Sequence, residues 1–336
     1  MTPLRIATVA TATAIPIPDA TEAAGDTRRF SAVPEHPVSL GGIRGPEDGC
    51  RRYRPIHVSY DTRNLVLDLE IQDEWTSDVK ALWERNQAKV RAELLGDLGP
   101  IDAERKLDNY RAMGPAPWSV VFEHTVLLNQ IRSSFAHGDF FPALVGACAL
   151  GERLLHQLVL ALHADYVNHR ATTKRVRSGH PGNEWSSLIA VLHGWGIFDN
   201  EVAEIYGQLE QLRHQAVHFD TDLNAAAREP ALAALVALQQ IVEHVLEPHG
   251  GPPRYIADIP GASYVALRAE KEPLIRRIFI PNCVLVSPAH RVEPDASASG
   301  GWAVYDDSQY ACDSLTDEEF AQRVRNSKPS QPPAIS

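Results

Sequence analysis

Residues 140–167 read FFPALVGACALGERLLHQLVLALHADYV, and this stretch decides the fold class of the chain. Its apolar residues recur at helical steps, so the sequence predicts a long helix that begins after the turn His137-Gly138-Asp139. The helix is apolar around most of its circumference until Glu152 and Arg153. A helix of this kind is buried between other helices or in a dimer interface, and both arrangements fit the sequence.

Helical spacing continues on both sides of this stretch. The segment 118–136 predicts an antiparallel partner joined through the tight turn. Segments 185–196, 200–219 and 231–248 predict three more helices, and Pro248-His249-Gly250-Gly251 marks a boundary. The sequence therefore predicts an all-helical domain over residues 117–250.

The flanking segments differ from this domain in composition. Residues 1–52 are rich in Pro, Ala, Gly and Thr, which predicts an irregular arm. Residues 53–116 predict a small α/β segment, in which HVSYDTRNLVLDLEI (57–71) forms two short strands joined by a turn at residues 61–64, and a helix follows over 75–95.

The β-branched runs IRRIFIPNCVLVSP and WAVYD predict a small β-containing module over residues 251–324, with a short helix near its end. Residues 325–336 predict a disordered tail. The expected fold class is α+β: a central all-α bundle flanked by a small N-terminal α/β segment and a small β-containing C-terminal module.

Composition narrows the function classes. The four cysteines are scattered without a CxxC pair, so we expect reduced thiols, no zinc knuckle and no metal site. No stretch has the roughly 18 apolar residues of a membrane span, so we expect a cytoplasmic protein. The net charge of -11 repels polyanions at long range, and a nucleic-acid role requires a local basic patch.

Such a patch is present after the long helix. The segment NHRATTKRVRSGHPGNE contains Arg170, Lys174, Arg175 and Arg177, with no acidic residue until Glu184. A solvated loop is the bland interpretation, and an RNA-binding segment is the functional one.

The motif that points to chemistry lies on the helix predicted over 200–219. Arg213-His214-Gln215-Ala216-Val217-His218 is an arginine, four residues and a histidine. The bare pattern is weak, because it also occurs at Arg132–His137 and Arg175–His180. Five residues turn an ideal helix by about 500°, which leaves Arg213 and His218 about 140° apart.

The context of this motif resembles the HEPN superfamily: a long helix, a GDFF turn, an ALGERLLHQ helix, a variable loop and a late helix reading LxxLRHQAVHF. The resemblance covers roughly residues 118–248. It implies an RNA-cutting homodimer with Arg213 and His218 as catalytic residues, His214 as a further candidate, and stress or phage defence as its setting. One toxin subgroup of the family, which is paired with a nucleotidyltransferase antitoxin, has tyrosine where this chain has Asp220. This difference weakens the prediction of that toxin–antitoxin partnership.

The residue types suit RNA cleavage without a metal or other cofactor. RNA carries its own nucleophile, the 2′-hydroxyl, so a nuclease needs only a base, an acid and a cation for the phosphorane charge. Histidine serves as base or acid near neutral pH, and arginine presents fixed donors to phosphate oxygens. The expected partners are RNA, a second copy of the chain and an unidentified regulator.

Three alternatives remain open from the sequence. The domain binds nucleotide or protein without cutting, or it is a structural helical dimer whose Arg213 and His218 form internal pairs. A zinc helix formed by His214 and His218 lacks the glutamate of HExxH. Glu152 and His156 are candidates to orient the catalytic pair, although pairing of Glu152 with Arg153 or simple exposure fits them better.

Overall fold

The structure is a computed structural model of the whole chain. It describes residues 35–37, 41–55, 61–117, 119–217, 228–246, 254–259, 262–294, 302–307 and 314–327. In these ranges the fold is mixed and mainly helical, which confirms the α+β class. The helices are α1 (Arg63–Leu67), α2 (Ser77–Leu98), α3 (Ala103–Ala112), α4 (Phe122–His137), α5 (Phe140–Leu162), α6 (Lys174–Arg177), α7 (Trp185–Gly194), α8 (Asn200–Val217), α9 (Arg228–Leu246) and α10 (Asp317–Ser327).

Helix α5 is the centre of a helical bundle and contacts α4, α7, α8 and α9. The apolar circumference seen in the sequence is therefore largely covered within one chain, by the other helices. Two glycines allow close approach: a Cβ at Gly146 would lie 2.9 Å from Ile131 Cγ1 on α4, and one at Gly151 would lie 2.7 Å from Leu209 Cδ2 on α8. Small residues at these points let the neighbouring helices pack tightly.

The turn between α4 and α5 has the chemistry that the sequence predicts. Gly138 ends α4 with φ 94°, a left-handed conformation that glycine adopts without a steric penalty. Its N–H donates to the Phe135 carbonyl, and the Asp139 N–H donates to that of Ser134. The chain therefore reverses within two residues, and α4 and α5 pack side by side.

Two β predictions are wrong. Residues 65–67, predicted to begin a strand after a turn at 61–64, lie in α1, because Asp61 Oδ1 accepts from the Arg63 N–H at 3.1 Å and opens a helical turn. The strand predicted before that turn, over 57–60, lies outside the described residues. Ile275–Phe279 forms a π-helical turn, followed by a 3₁₀ turn over Ile280–Asn282. There the buried Ile275, Ile278 and Phe279 recur at helical steps, so β-branched composition misled the assignment.

The strands are short and antiparallel: β1 (Glu35–Pro37), β2 (Arg52–Pro55), β3 (Cys283–Val286), β4 (Arg291–Pro294) and β5 (Trp302–Asp307). β2 pairs with β3, with Arg52 opposite Val286, and the other three form a sheet in the order β1-β5-β4. Segments before and after the helical domain thus share their sheets.

The two terminal segments also contain regular structure that the sequence did not predict. β1 lies inside the predicted irregular arm, and β2 begins at its last residue. α10 confirms the predicted short helix but extends to Ser327, three residues into the predicted tail. The rest of that tail, and residues 1–34, lie outside the described residues.

Cys50 is disulfide-bonded, which corrects the prediction of reduced thiols for this residue. Cys148 and Cys283 are free and buried. Distance along the chain carried no sign of the bond, because disulfide geometry depends on which Cα atoms the fold brings together.

One helix has the length and composition of a membrane span, which corrects the prediction that no stretch does. This helix is α5, and 56% of its most apolar 18-residue window is buried in the chain. Its packing against four helices accounts for that composition, since a core helix needs the same residues.

Candidate functional site

Arg213 lies near the end of α8 and is held from two directions. Its Nη2 is 3.3 Å from Oε2 of Glu152 on α5, and its guanidinium carbon is 5.5 Å from the ring centre of Trp185. Trp185 is buried at the start of α7. The Arg213 side chain is nevertheless 29% exposed. The geometry fixes the guanidinium and leaves part of it accessible to a ligand.

Cys148 lies one turn before Glu152 on α5 and is the thiol nearest this pair in sequence. Burial raises its pKa to about 11, and the positive charge of Arg213 offsets that effect only in part. A thiol with this pKa stays protonated at neutral pH. Cys148 is therefore a core residue and not a nucleophile.

Of the other two predicted catalytic residues, His214 lies within the described residues and His218 does not. His214 lies on the exposed side of α8. His218 lies outside the described residues, so its position relative to Arg213 stays a prediction. The same holds for the zinc alternative that pairs His214 with His218. In the described ranges, no three His, Cys, Asp or Glu side chains are grouped as a metal would require.

The predicted basic segment is partly ordered into α6. Thr173 Oγ1 accepts from the Val176 N–H at 3.3 Å at the helix start, and the buried Val176 anchors the turn. The basic side chains of the segment are exposed: Arg170, Lys174, Arg175 and Arg177. None of them forms an ion pair with a carboxylate in the described part of the chain. Their charges are available to a polyanion.

A shallow hollow of about 530 Å³ lies beside this segment and is lined by residues that include His156, Arg175 and His180. His156 belongs to α5 and contacts two backbone carbonyls. Its Nδ1 is 3.0 Å from the carbonyl oxygen of Glu152, and its Nε2 is 2.9 Å from the carbonyl oxygen of Gly182. Arg175 packs against Gly182, where a Cβ would lie 3.3 Å from its Nη1. Glu152 and His156 thus connect Arg213 to the basic segment.

Sequence reasoning named Glu152 as a candidate to orient the catalytic pair but favoured other roles for it. Glu152 was expected to pair with its neighbour Arg153 or to be exposed, but it pairs with Arg213, while Arg153 is exposed. The available signal was the position of Glu152 in an otherwise apolar helix. A carboxylate at such a position needs a cation, and successive helical residues point in different directions.

The other two copies of the motif line concave surfaces. Arg175 and His180 line the hollow beside α6. Arg132 and His137 line a separate cavity of about 520 Å³ between α4 and the segment that contains α1, α2 and α3. Nothing in the sequence favoured this second site, and the fold alone assembles it.

Comparison with known proteins identifies no relative of this chain. A scan against protein-family models found no match, and neither a search of curated proteins nor one of solved structures found a match. The function of these residues is therefore inferred from their own geometry and chemistry.

Proposed function

We propose that the chain is a metal-independent endoribonuclease of the HEPN type. The observation that carries the proposal is the placement of Arg213, which is paired with Glu152, lies over Trp185 and stays 29% exposed. An arginine held in this way offers N–H donors to phosphate oxygens with little further loss of conformational freedom. Enzymes that transfer phosphoryl groups gain much of their rate enhancement from such preorganised cations, which stabilise the charge of the transition state.

The residues divide the chemistry as follows. One His218 accepts the proton of the ribose 2′-hydroxyl, and the 2′-oxygen forms a new bond to the adjacent phosphorus. The bond from phosphorus to the 5′-oxygen breaks, and a second histidine protonates this leaving oxygen. Arg213 neutralises the charge of the phosphorane. The products are a 2′,3′-cyclic phosphate and a free 5′-hydroxyl, and His214 is the further candidate for one proton transfer.

The basic segment supplies the affinity. The chain carries a net charge of -11, so RNA needs a local patch that overcomes long-range repulsion. Arg170, Lys174, Arg175 and Arg177 are exposed and make no ion pair with a described carboxylate, and Glu152 and His156 link this segment to Arg213. RNA that binds the segment therefore approaches Arg213.

The helix arrangement is compatible with a HEPN-like bundle. α4 and α5 form an antiparallel pair, a variable segment follows, and α8 packs against both α5 and α9. The proposed catalytic arginine lies on α8, in the late helix where the family has it. We place the activity in the cytoplasm, in stress or phage-defence cleavage of RNA.

The second copy of the chain has a candidate surface on α5. Phe141, Val145 and Ala149 are exposed at four-residue steps, and the same face continues to Glu152, the partner of Arg213. A two-fold dimer through this face brings both Arg213 sites together.

The test incubates the purified full-length chain with total cellular RNA in EDTA and maps the ends that form. We expect cleavage with cyclic-phosphate ends, and a loss of at least about 1,000-fold for His218→Ala. His193→Ala, an exposed histidine on α7, is the matched control and should cut as the wild type does.

The outcomes separate the proposal from its alternatives. RNA that is bound but not cut indicates a binding module. The ion pair between Arg213 and Glu152 also suits a structural role, and a folded chain that neither binds nor cuts RNA would support that role. Cleavage by a folded His218→Ala chain at the wild-type rate contradicts the catalytic assignment.

A further inference from the structure

The cavity between α4 and the segment of α1 to α3 contains polar groups that the proposed RNA chemistry does not use. Its volume of about 520 Å³ lies in the range of small-molecule sites. One face of α4 supplies Asn129, Arg132, Ser133 and His137 to its wall. These residues recur at three- and four-residue steps, so a single polar stripe of the helix faces the cavity.

Arg132 is the unusual member of this wall, because it is 4% exposed and pairs with no carboxylate of the described residues. Its Nη1 donates to Oε1 of Gln239 on α9, and its Nη2 donates to the Gly114 carbonyl at 2.9 Å. The Gln239 side chain is oriented by a second hydrogen bond, in which its Nε2 donates to the Met113 carbonyl at 2.8 Å. Both acceptors are neutral. A guanidinium carries five N–H donors, so these two hydrogen bonds leave others for a ligand.

A buried charge without a counter-ion is costly. Desolvation by burial lowers the pKa of Arg132, and the charge of Asp61 opposes that effect only in part. Asp61 is also engaged elsewhere, because its Oδ1 accepts from Arg63 Nε at 2.9 Å and its Oδ2 accepts from Arg63 Nη2 at 3.0 Å. Arg132 thus lacks the anion that normally accompanies a buried guanidinium.

Tyr110 supplies a second donor, which lies near the Asp61 carboxylate without forming a well-aligned hydrogen bond to it. It is 5% exposed, it lines the cavity, and its hydroxyl has no hydrogen bond of acceptable geometry to a described residue. Burial raises its pKa, and the nearby Asp61 raises it further, so the hydroxyl keeps its proton at neutral pH. The centre of its ring lies 6.0 Å from the guanidinium carbon of Arg63 and 5.9 Å from that of Arg132.

The remaining charges leave Arg132 as the group to be neutralised. Arg63 binds Asp61 and also donates to Asp97 at 2.5 Å, so both acids of the wall share one cation. His137, at the rim, directs Nδ1 to the Ser133 carbonyl at 2.9 Å and supplies no negative charge. The wall therefore combines a buried cation with a phenol donor.

We propose that this cavity binds a small molecule with a carboxylate or phosphate group, whose oxygens accept from Arg132 and from the Tyr110 hydroxyl. An oxyanion there satisfies both unused donors at once and supplies the missing counter-charge. A rigid guanidinium suits either group, since its N–H fork matches the oxygens of both. The inference is independent of the RNA proposal, because no residue of the cavity belongs to the Arg213 site.

Calorimetric titration of the purified full-length chain tests this site with four probes. Inorganic phosphate and succinate represent the two oxyanions, and adenosine monophosphate and adenosine form a pair that differs only in the phosphate. We expect binding of phosphate or succinate, and the better of these two identifies the oxyanion. Failure of both at millimolar concentration overturns the proposal. If phosphate is the better of the two, adenosine monophosphate should bind more tightly than adenosine, and equal binding of that pair then overturns the proposal as well.

Tyr110→Phe removes only the unused hydroxyl, and we expect it to weaken binding of the better oxyanion about tenfold. Tyr206→Phe is the matched control, because Tyr206 is fully buried elsewhere in the bundle. Arg132→Gln should abolish binding, and if that variant does not fold, Tyr110→Phe still decides. Wild-type affinity in Tyr110→Phe would contradict the site. Tyr110→Phe should cleave RNA as the wild type does, which separates the two proposals.

Discussion

Two helices of the bundle, α4 and α8, each carry the arginine of an Arg-x4-His motif, and these two arginines lie in opposite environments. Arg213 on α8 is 29% exposed and pairs with Glu152. Arg132 on α4 is 4% exposed and contacts neutral oxygens of Gln239 and Gly114. The same sequence pattern therefore gives an accessible cation in one place and a buried, uncompensated one in the other.

The difference shows how environment assigns a role to a motif. An accessible, oriented guanidinium suits a large polyanion that approaches from solvent. A buried guanidinium beside a cavity suits a small ligand that is enclosed on binding. Each assignment can be tested by a change that should affect one site and spare the other.

The largest effect should come from mixing two inactive chains. If the α8 site is shared across a two-fold axis, then Arg213→Ala mixed with His218→Ala restores one complete site in each heterodimer. We expect activity to rise from near zero to about a quarter of the wild type after random exchange. Val145→Glu, on the exposed face of α5, should prevent this recovery.

Light scattering of the same samples provides the control, since Val145→Glu should be monomeric. The cavity beside α4 is formed within one chain, so its ligand should still bind to that monomer. An active wild-type monomer would contradict the shared site.

The next effect concerns stability and separates the two arginines directly. Arg132→Ala removes one buried and one half-buried hydrogen bond and leaves Gln239 Oε1 without a donor, so it should lower the free energy of unfolding by about 3 kcal/mol. Arg213→Ala should cost less than about 1 kcal/mol, because its ion pair is partly exposed. Urea unfolding followed by circular dichroism measures both, and equal costs would show that the two environments do not differ as described.

A third change tests the basic segment. Charge reversal at Lys174, Arg175 and Arg177 should weaken RNA binding about 100-fold at low salt and reduce the slope of log K against log salt by about 2. The matched control reverses Arg85, Lys89 and Arg111, three exposed basic residues outside this segment. Fluorescence anisotropy with labelled RNA gives both slopes, and an unchanged slope in the first variant would mean that RNA binds elsewhere.

The smallest expected effect is a pH dependence of folding stability that comes from His124 on α4. His124 is 2% exposed, its Nε2 contacts Gln157 Oε1 at 2.8 Å, and burial lowers its pKa below the ordinary 6.5. The unfolded chain therefore binds the proton more readily, so stability that is present above pH 6.5 is lost as pH falls toward the folded-state pKa.

Thermal unfolding across this pH range measures the contribution of His124. His124→Gln should unfold at a lower temperature but with a weaker pH dependence than the wild type. His214→Gln, at an exposed position on α8, should keep the wild-type dependence. A pH dependence that persists unchanged in His124→Gln would assign it to another group.

Several features of this protein were determined by the sequence alone. The 3.6-residue spacing of apolar side chains predicted α4, α5, α7, α8 and α9, and Gly138 predicted the turn between the first two. These predictions were correct because burial of one helical face is a local pattern that neighbouring residues share. The basic segment was equally visible, since exposed charges need no distant partner.

Only the tertiary structure decided which partner each charged residue meets. Glu152 pairs with Arg213 and not with its neighbour Arg153, and Arg132 meets Tyr110 from a different helix. The strand prediction that began at residue 65 failed for a related reason, because alternating apolar residues are compatible with a short helix that packs on α2. Such pairings depend on how helices far apart in sequence are packed, and spacing along the chain carries no information about that packing.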